Sequence, residues 1–573
     1  MKRMKLQRMV VSAVALGLLV AAHVAGAGEE IEREPVERWW ISEAAALENQ
    51  ADLKADFDGN GFADLAVGAP WEDVGPAIDS AGALSAFYWN SNSSQPSSGD
   101  SWLQGATGST FSESDDRFAE VLVAGDFNGD GVYDLAIGVP HEDLETQPDA
   151  GMVQVLYGLY GTGLTLTGNQ YFHQDVSGIP GVLEEGDLFG YSLAAGDFDN
   201  DGYDDLAVGA PYEDAGGVSN AGYVTIIFGN AGGLDASQTQ DWLKDDVSGI
   251  REPDDFFGRV LAVGDFDGDG FDDLAVGTPG DDLGAVSNAG SVDILFGSSS
   301  GLTTRATDDH WHQDRSGIPG TAEEYDAFGA SLAVGDFDDD GYDDLAIGVP
   351  YEDLGSPTVD QAGYVHVLYG SSVGLAATDS DALYQGGGNT SNSAETDDQF
   401  GLSLAAGDFD NDGYDDLAVG VPMEDWSTVV NAGMVHVFWG GSSGVDDGDQ
   451  SFSQESLSLN GTAEHFDEFG RTLAVSDFNG DGYDDLAVGV PMEDIDTTEN
   501  AGWVTLLFGT SGLISYDNAI VFQHSAGTGQ SAEDNDRFGW AVAAVPPQLA
   551  PEDLIMADGF ESADTSGWSS TVP

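Results

Sequence analysis

The sequence predicts an all-β protein, a seven-bladed β-propeller of four-stranded antiparallel blades with metal-binding hairpin loops. An acidic loop followed at once by a short apolar run, as in Asp197 to Pro211, occurs seven times. The copies start 68 to 72 residues apart, and each interval holds four short apolar runs separated by turn residues. A fixed period indicates a repeat array, and four antiparallel strands per unit suit propeller blades. The loops start at Asp56, Asp126, Asp197, Asp265, Asp336, Asp408 and Asp477.

The charge of the chain narrows the possible functions. The 573 residues include 15 basic and 103 acidic side chains, for a net charge of −88. Such a surface does not neutralise phosphates, which excludes nucleic acid and disfavours anionic membranes. The 41% hydrophobic content and the regular spacing of the acids argue against disorder. With no cysteine, disulfides and thiolate metal sites are excluded, whereas binding of cations is favoured.

Residues 1–27 are predicted to be a secretory signal peptide. Lys2, Arg3, Lys5 and Arg8 precede an apolar stretch, and the small residues Ala25-Gly26-Ala27 suit cleavage. An uncleaved anchor is the alternative, but about 16 apolar residues is short for a span of about 20. Residues 28–50 are a lead-in segment whose structure the sequence leaves open.

The propeller is expected to cover residues 51–545. Each unit opens with Phe-Gly and continues with a strand, the acidic loop, a second strand, a Pro-x-Glu-Asp loop that ends at Ala-Gly, and two more strands. In the third unit these strands are predicted at Ser192–Ala195, Asp205–Gly209, Tyr223–Phe228 and Gln240–Lys244.

The ring is expected to close through the C-terminus. Residues 538–545 repeat the opening strand without an acidic loop, whereas the first unit has only the weak opening strand 51–55. An open row of blades would leave sheet edges unpaired, so the C-terminal strand should complete the first blade. Residues 546–573 follow as a tail. It resembles C-terminal tails of secreted bacterial proteins, and a disordered end is the alternative.

The acidic loop predicts a calcium site. Asp197, Asp199, Asp201 and Asp205 stand at positions 1, 3, 5 and 9, with Gly202 at the sharp bend. Several hard oxygen ligands suit Ca²⁺, while Mg²⁺ demands stricter geometry. An EF-hand is excluded because position 12 is Val208, inside a strand. A merely solvated turn is the alternative for one copy, and seven copies in register favour metal.

We therefore predict up to seven Ca²⁺ ions, each bound by side chains at positions 1, 3, 5 and 9 and by the carbonyl at position 7. Asparagine replaces aspartate at position 5 once and at position 3 twice. The predicted ligands are Asp56, Asp58, Asn60, Phe62 and Asp64; Asp126, Asn128, Asp130, Val132 and Asp134; Asp197, Asp199, Asp201, Tyr203 and Asp205; Asp265, Asp267, Asp269, Phe271 and Asp273; Asp336, Asp338, Asp340, Tyr342 and Asp344; Asp408, Asp410, Asp412, Tyr414 and Asp416; and Asp477, Asn479, Asp481, Tyr483 and Asp485.

The pattern Phe-Gly followed by Asp-x-Asp-x-Asp-Gly-x-x-Asp-Leu-x-x-Gly-x-Pro resembles the FG-GAP repeat of the integrin α-chain propeller. Related repeats occur in bacterial secreted proteins. The resemblance implies seven blades, Ca²⁺ between the first and second strands, and a role in adhesion or ligand binding. Integrin propellers load only some blades, whereas all seven loops match here. No inserted, thigh or transmembrane segment is visible, so integrin-type signalling is not implied.

The face opposite the loops is the expected ligand face. Its repeated acids, such as Glu213/Asp214 and Glu184/Asp187, either cap turns or form an acidic ring for a cation. The residue after the Pro of each Pro-x-Glu-Asp loop varies from unit to unit, as expected for positions that recognise a ligand on a fixed scaffold. The candidate ligand-binding residues at that position are Trp71, His141, Tyr212, Tyr351, Met423 and Met492, and the seventh is Gly280.

No catalytic constellation stands out. His310 and His312 look like a metal pair, but sequence alignment sets Lys244 opposite His312 and His173, which favours a structural role. We expect a monomeric binding or adhesion protein with an extracellular protein or glycan ligand. A hydrolase or lyase with carboxylates hidden among the repeats, and a structural surface or matrix component, are the alternatives.

Overall fold

The computed structural model describes residues 55–543, except 74–77, 79, 92, 105–112, 145, 306–308, 356–357, 388–389, 391, 446–447, 456–461, 496, 513, 515–517 and 522–531. The predicted signal peptide, the lead-in segment, the tail and most of the weak strand 51–55 lie outside the described residues.

The described strands form seven four-stranded antiparallel sheets, so the predicted propeller is confirmed. Each sheet is one blade, and its strands follow one another in chain order except in blade 1. From first to fourth strand they are Ala541–Ala543, Leu65–Ala69, Ala83–Tyr88 and Ser98–Leu103 in blade 1; Val121–Gly125, Asp134–Val139, Met152–Tyr157 and Thr165–Phe172 in blade 2; Ser192–Gly196, Asp205–Ala210, Tyr223–Ile227 and Thr239–Trp242 in blade 3; Val260–Gly264, Asp273–Thr278, Ser291–Leu295 and His310–Trp311 in blade 4; Ser331–Gly335, Asp344–Val349, Tyr364–Tyr369 and Ala376–Leu383 in blade 5; Ser403–Gly407, Asp416–Val421, Met434–Phe438 and Asp449–Phe452 in blade 6; and Leu473–Ser476, Asp485–Val490, Trp503–Leu507 and Asn518–Val521 in blade 7.

The core lies between the blades. Every residue of Asp205–Ala210 and of Tyr223–Ile227 is buried, so both faces of these strands are covered. One apolar cluster joins Val153 and Phe172 of blade 2 to Leu206 and Val208 of blade 3. Burial on both faces explains why the second strands read as continuous apolar runs rather than as alternating ones. A blade therefore acquires its core only from its neighbours.

Phe-Gly and Ala-Gly are two halves of one contact between neighbouring blades. The backbone N–H of Phe257, in blade 4, donates to the carbonyl of Ala221 in blade 3 at 3.2 Å. A Cβ at Gly222 would lie 2.2 Å from the carbonyl oxygen of Phe257. Glycine is required there because the two backbones touch. The same Phe-to-Ala bond recurs at every blade junction, including Phe538 to Ala501.

The ring closes as the sequence predicted. Ala541–Ala543 pairs antiparallel with Leu65–Ala69, and Phe538 packs on Phe87 with ring centroids 6.1 Å apart. The last segment of the propeller thus supplies the first strand of blade 1.

Deleting residues 538–573 should lower the thermal midpoint by about 10 °C or more, because blade 1 loses a strand and blade 7 loses its neighbour's Phe. Deleting residues 546–573 is the control and should leave the midpoint unchanged. Equal midpoints for both truncations in a calorimetric scan would show that the closing strand is dispensable.

The repeated acids of the opposite face serve the scaffold. Asp214 accepts the backbone N–H of Asn220 at 3.0 Å, and Asp187 accepts that of Glu184 at 2.8 Å. Both bonds recur in all seven repeats. Glu213 instead accepts Nε2 of Gln174 from the preceding blade at 2.6 Å. The turn-capping interpretation is therefore confirmed for the aspartates, and the glutamates join blades.

Among the junctions whose residues the structure describes, that of blades 3 and 4 departs from the Gln–Glu pair. Trp242 of blade 3 and Phe172 of blade 2 occupy equivalent positions in the fourth strand, because they pair with Val224 and Val153. Lys244 lies two residues after Trp242, and Gln174 lies two residues after Phe172. Lys244 therefore occupies the place of Gln174. Its ammonium contacts Asp281. The alignment of Lys244 with His312 was wrong by one residue, because the helical turn Lys244–Val247 takes up an extra residue.

The buried glutamates that join neighbouring blades should make the stability of the protein depend on pH. Burial, reinforced by the charge of Asp187, raises the pKa of Glu213 to about 7 from the ordinary 4.5. The folded protein then binds the proton of Glu213 more tightly than the unfolded chain does. The stabilisation that this proton contributes is therefore present at low pH and is lost as pH rises through 7.

In saturating calcium, Glu213→Gln should lose less stability than wild type between pH 5 and pH 8, by up to about 3 kcal/mol. Urea denaturation at several pH values measures it, with Glu185→Gln, at an exposed position, as the control. Parallel profiles for wild type and Glu213→Gln would contradict the prediction.

Candidate metal centres and the opposite face

Each acidic loop joins the first and second strands of its blade and is folded by its own carboxylates. In blade 3, Asp197 accepts the backbone N–H groups of Asp201 at 3.0 Å and Gly202 at 2.8 Å. Gly202 has a φ of 89°, which only glycine adopts readily. Asp201 accepts the N–H of Tyr203 at 3.2 Å. The backbone thus turns around the carboxylate at position 1.

The aspartate at position 9 anchors the loop to the sheet. Asp205 is buried and accepts the N–H of Phe198 at 3.2 Å and that of Gly229, after the third strand, at 2.8 Å. Burial, together with the charges of Asp199 and Asp197, raises the pKa of Asp205 to about 9. The equivalent carboxyls Asp134, Asp273, Asp344 and Asp416 also have a pKa of about 9, mainly through burial.

In five loops three carboxylates converge, with one oxygen from each lying within 4.8 Å of the others. The groups are Asp56, Asp58 and Asp64; Asp197, Asp199 and Asp205; Asp265, Asp267 and Asp269; Asp336, Asp338 and Asp344; and Asp408, Asp410 and Asp416.

The residues at these loops fit a hard divalent cation. Oδ1 of Asp199, Asp338 and Asp410 is buried and has no hydrogen-bond partner among the described residues. Oxygen atoms that are buried, crowded with like charges and unpartnered are costly unless a cation neutralises them. Calcium accepts six to eight oxygen ligands in flexible geometry, which suits such a loop.

In two loops, an asparagine side chain hydrogen-bonds the aspartate at position 9. In blade 2, Nδ2 of Asn128 donates to both oxygens of Asp134, at 3.3 and 3.2 Å. In blade 7, Asn479 donates to Asp485 at 3.2 and 3.1 Å. The amide at position 3 thus supplies hydrogen bonds where other loops present a third carboxylate.

In the loop of blade 4, an arginine side chain supplies positive charge to the carboxylates. The guanidinium of Arg305 contacts Asp267, lies 3.9 Å from Asp269, and stacks 3.5 Å from the ring centroid of Phe296. The seven predicted sites therefore fall into three kinds, and the carbonyl ligands at position 7 stay predictions.

The role of position 8 is visible only in the structure. Asp204 accepts the backbone N–H of Asp126, position 1 of the preceding blade, at 2.7 Å. Asp272, Asp343, Asp415 and Asp484 make the same bond one blade further on. The Asp-Asp doublet was visible in five loops, but its partner lies 75 to 79 residues away in the chain.

On the opposite face, Trp71 belongs to an arginine–aromatic cluster. Its ring lies 4.4 Å from that of Trp540, and Arg117 and Arg537 lie 5.2 and 4.3 Å from its centroid. Arg471 lies 4.8 Å from the ring of Trp540. Nε of Arg117 and Nε of Arg537 are buried without a hydrogen-bond partner among the described residues.

Tyr212 belongs to a similar group. It packs on Tyr191 and Phe256 at 5.9 and 5.0 Å, and Arg259 donates to its hydroxyl at 3.2 Å. The pKa of Tyr191 is raised by burial, and the charges of Arg259 and Arg471 oppose this rise. Side chains from blades 3, 4 and 7 are thus within electrostatic reach of one another.

The other candidate ligand residues are more scattered. His141 bonds Asp149 at 2.9 Å and Arg117 at 3.2 Å, so it joins the Trp71 group. Met423 accepts Nδ2 of Asn431 at 3.3 Å, while Tyr351 and Met492 are half-buried. Gly280 has no room for a side chain, because its Cβ would lie 2.0 Å from the carbonyl oxygen of Asp254.

The fold and the loops together define a class of protein, a seven-bladed propeller whose first hairpins carry acidic loops. The FG-GAP repeat model matches the chain at residues 51–87, 118–156, 189–227, 257–295, 328–368, 400–438 and 469–507. The chain belongs to the FG-GAP repeat proteins, as its motifs indicated.

Integrin α chains are among its relatives. Integrin alpha-5 of Xenopus laevis is 32% identical over 238 residues, which cover 40% of this chain and 20% of that protein. Integrin alpha-PS2 of Drosophila melanogaster is 31% identical over 288 residues, covering 47% and 18%. The matched part is thus about a fifth of these relatives.

Among solved structures, the exotype rhamnogalacturonan lyase YesX matches with a TM-score of 0.31 and 15% identity, over 79% of this chain and 64% of that one. This likeness is too low to bear on function. Among the described residues, no helix has both the length and the apolar character that a membrane span needs.

Proposed function

We propose that the chain is a secreted, calcium-loaded propeller that binds an extracellular ligand through the face opposite its acidic loops. The observation that carries the calcium part is the set of converging carboxylates with buried, unpartnered oxygens. The integrin relatives and the predicted signal peptide support an extracellular role.

Calcium acts here as part of the scaffold. The loop carboxylates hold the turn and tie it to the third strand through Asp205 and Gly229. The neighbouring Asp204 bonds the preceding blade. Neutralising the like charges would relieve repulsion at this junction, so metal binding and ring stability are coupled.

Removing calcium with excess chelator should lower the thermal midpoint, and restoring Ca²⁺ should recover it, because an ion that binds only the folded state stabilises that state. Asp199→Asn should weaken this response, while Asp175→Asn, at an exposed position outside the loops, should not. An unchanged melting curve in excess chelator would overturn the calcium proposal.

The three kinds of loop imply unequal affinities. Blades 1, 3, 5 and 6 present converging carboxylates at positions 1, 3 and 9. In blade 4, Arg305 competes for the carboxylates, and in blades 2 and 7 asparagine lowers their charge. We therefore propose four tight sites and three weaker ones.

Titration calorimetry on chelator-treated protein should give about four tight equivalents of Ca²⁺, and Arg305→Gln should add a fifth, because removing the guanidinium leaves a fourfold acidic loop. Arg251→Gln, whose side chain pairs with Asp245, is the matched control and should keep four. Seven equal equivalents in wild type would contradict the ranking.

The arginine–aromatic cluster is the feature of the opposite face that favours a ligand. Arg117, Arg471 and Arg537 approach Trp71 and Trp540, and burial beside other arginines lowers the pKa of Arg537. Arginine held on an aromatic ring suits carboxylate recognition. The ligand is accordingly an extracellular protein or glycan that presents an acidic group.

An array of extracellular matrix proteins and acidic glycans, probed with calcium-loaded protein, tests the proposal. Binding should fall at least about tenfold in Arg537→Gln, the cost of one charged hydrogen bond, and persist in Arg251→Gln. Equal binding by both variants would move the ligand site elsewhere. No binding to any array component would favour a purely structural role.

We find no observation that favours a hydrolase or a lyase. The repeated carboxylates Asp187, Glu213 and Asp214 are committed to backbone N–H groups and to Gln174. These bonds explain their repetition without an acid–base role.

A further inference from the structure

The first strands of the seven blades surround the axis of the propeller. Each first strand contacts the first strands of both neighbouring blades, and the closing strand Ala541–Ala543 completes this ring. The acidic loop follows the first strand, so the residues that precede the strand lie at the other end of the axis, on the opposite face. We call these residues, the one before each Phe-Gly and the one after it, the axial rim. In the second unit they flank Phe118-Ala119.

Four arginines stand at the axial rim. Arg117 and Arg537 precede the Phe of their units, and Arg259 and Arg471 follow the Gly. The whole chain has only 15 basic side chains against 103 acidic ones. The equivalent residues before the first strands of blades 5 and 6 are Ala327, Ala330, Gln399 and Leu402. Because those blades join the ring without arginine, the scaffold does not require the four guanidinium groups.

Three of the guanidinium groups share two tryptophan rings. The residue before each Phe has the same backbone conformation in all seven units, with φ between 53° and 58°. Arg117 and Arg537 lie 5.2 and 4.3 Å from the ring centroid of Trp71. Arg471 and Arg537 lie 4.8 and 5.7 Å from that of Trp540. The side chains from these neighbouring units thus come together in front of the axis.

Arg259 extends this group to blade 4. Its guanidinium lies 5.3 Å from the ring centroid of Tyr191 and donates to the hydroxyl of Tyr212 at 3.2 Å. Burial raises the pKa of Tyr191, and the charges of Arg259 and Arg471 oppose that rise. Arginines of blades 4 and 7 are therefore both within electrostatic reach of one tyrosine beside the first strand of blade 3.

The positive charge of the axial rim is only partly neutralised. Its ion pairs among the described residues are Arg117 with Glu120 at 3.6 Å and Arg471 with Glu468 at 3.5 Å. Arg259 and Arg537 lie on aromatic rings and form no ion pair in the described part of the chain. Nε of Arg537 is also buried without a hydrogen-bond partner there. Four guanidinium groups and two carboxylates leave an excess of two positive charges.

This excess is costly without a counterion. Burial lowers the pKa of Arg537, the charge of Glu468 opposes this effect, and the charges of Arg117 and Arg471 add to it. Like charges that are held together in partly buried surroundings repel each other, and an anion between them removes that cost. A guanidinium group on an aromatic face keeps planar N–H donors for an anion. The axial rim therefore has the charge and the donors of an anion site.

We propose that the axial rim binds one divalent tetrahedral oxyanion, a sulfate or a phosphate, between Arg117, Arg259, Arg471 and Arg537. This inference rests on the proposed function, in which this face binds an acidic ligand. A carboxylate has two oxygens in one plane, and one guanidinium fork occupies both. A tetrahedral anion turns an oxygen toward each of several guanidinium groups that approach from different blades. Its two negative charges equal the excess charge of the rim.

The test is calorimetric titration of the calcium-loaded full chain with sodium sulfate. Sodium succinate at equal ionic strength is the comparison, because it carries the same charge on planar carboxylates. Wild type should bind one equivalent of sulfate, and Arg259→Gln should bind it at least about tenfold more weakly, the cost of one charged hydrogen bond.

Arg315→Gln is the matched control and should bind sulfate as wild type does. Arg315 also stacks on a tryptophan, 3.7 Å from the ring centroid of Trp311, but that ring belongs to the fourth strand of blade 4 rather than to the axial rim. Thermal melts in Ca²⁺ show that both variants fold. Inorganic phosphate compared with glucose 6-phosphate identifies the source of the anion: tighter binding of the sugar phosphate assigns the site to a terminal ester, and tighter binding of inorganic phosphate to a free anion.

Two results would overturn the inference and leave the proposed function standing. Succinate that binds as tightly as sulfate would show that the rim does not select a tetrahedral group. Unchanged sulfate binding in Arg259→Gln would place the anion away from the axis. The proposed function fails separately if Arg537→Gln keeps its binding to the array of matrix proteins and glycans. If wild type binds neither sulfate nor any array component, both fail.

Discussion

The contact between the Phe of one blade and the Ala-Gly of the blade before it supports the whole propeller. The Phe257 N–H reaches Ala221, and only glycine at 222 permits the two backbones to approach so closely. Strands buried on both faces have no core until this approach is made. A blade therefore acquires its core only beside its neighbours, and Ala541–Ala543 completes the first blade by pairing with Leu65–Ala69.

The acidic residues of this chain divide into two populations. On the opposite face, side chains such as Asp214 and Asp187 each accept a backbone N–H, so their negative charge is used by the scaffold. In the loops, Oδ1 of Asp199, Asp338 and Asp410 is buried without a hydrogen-bond partner among the described residues. Both populations repeat with the same period, and they differ in whether every buried carboxylate oxygen has a hydrogen-bond donor among the described residues.

The candidate binding features lie where the repeat is broken. Arg305 and Asn128 modify individual loops. The aromatic and basic residues around Trp71 likewise occur at positions that vary from blade to blade. The repeated residues are occupied in holding the ring, so these varied positions are the ones left for binding in the proposed function.

The sequence by itself determined the architecture. The period, the Gly-rich turns and the apolar runs predicted seven blades, the hairpin position of the acidic loops and the closing strand, because these depend on local pattern and on the need to pair edges. It also identified Trp71 and Tyr212 as members of the set of residues that follow the loop Pro and differ from blade to blade.

The tertiary structure decided what each repeated carboxylate touches. Asp204 bonds a residue in another blade, Lys244 takes the place of a glutamine through a shifted register, and Arg305 reaches Asp267 across more than thirty residues of chain. Such partners depend on how neighbouring blades are rotated against each other. A one-dimensional pattern records that a residue recurs, and it does not record which donor lies within hydrogen-bond distance.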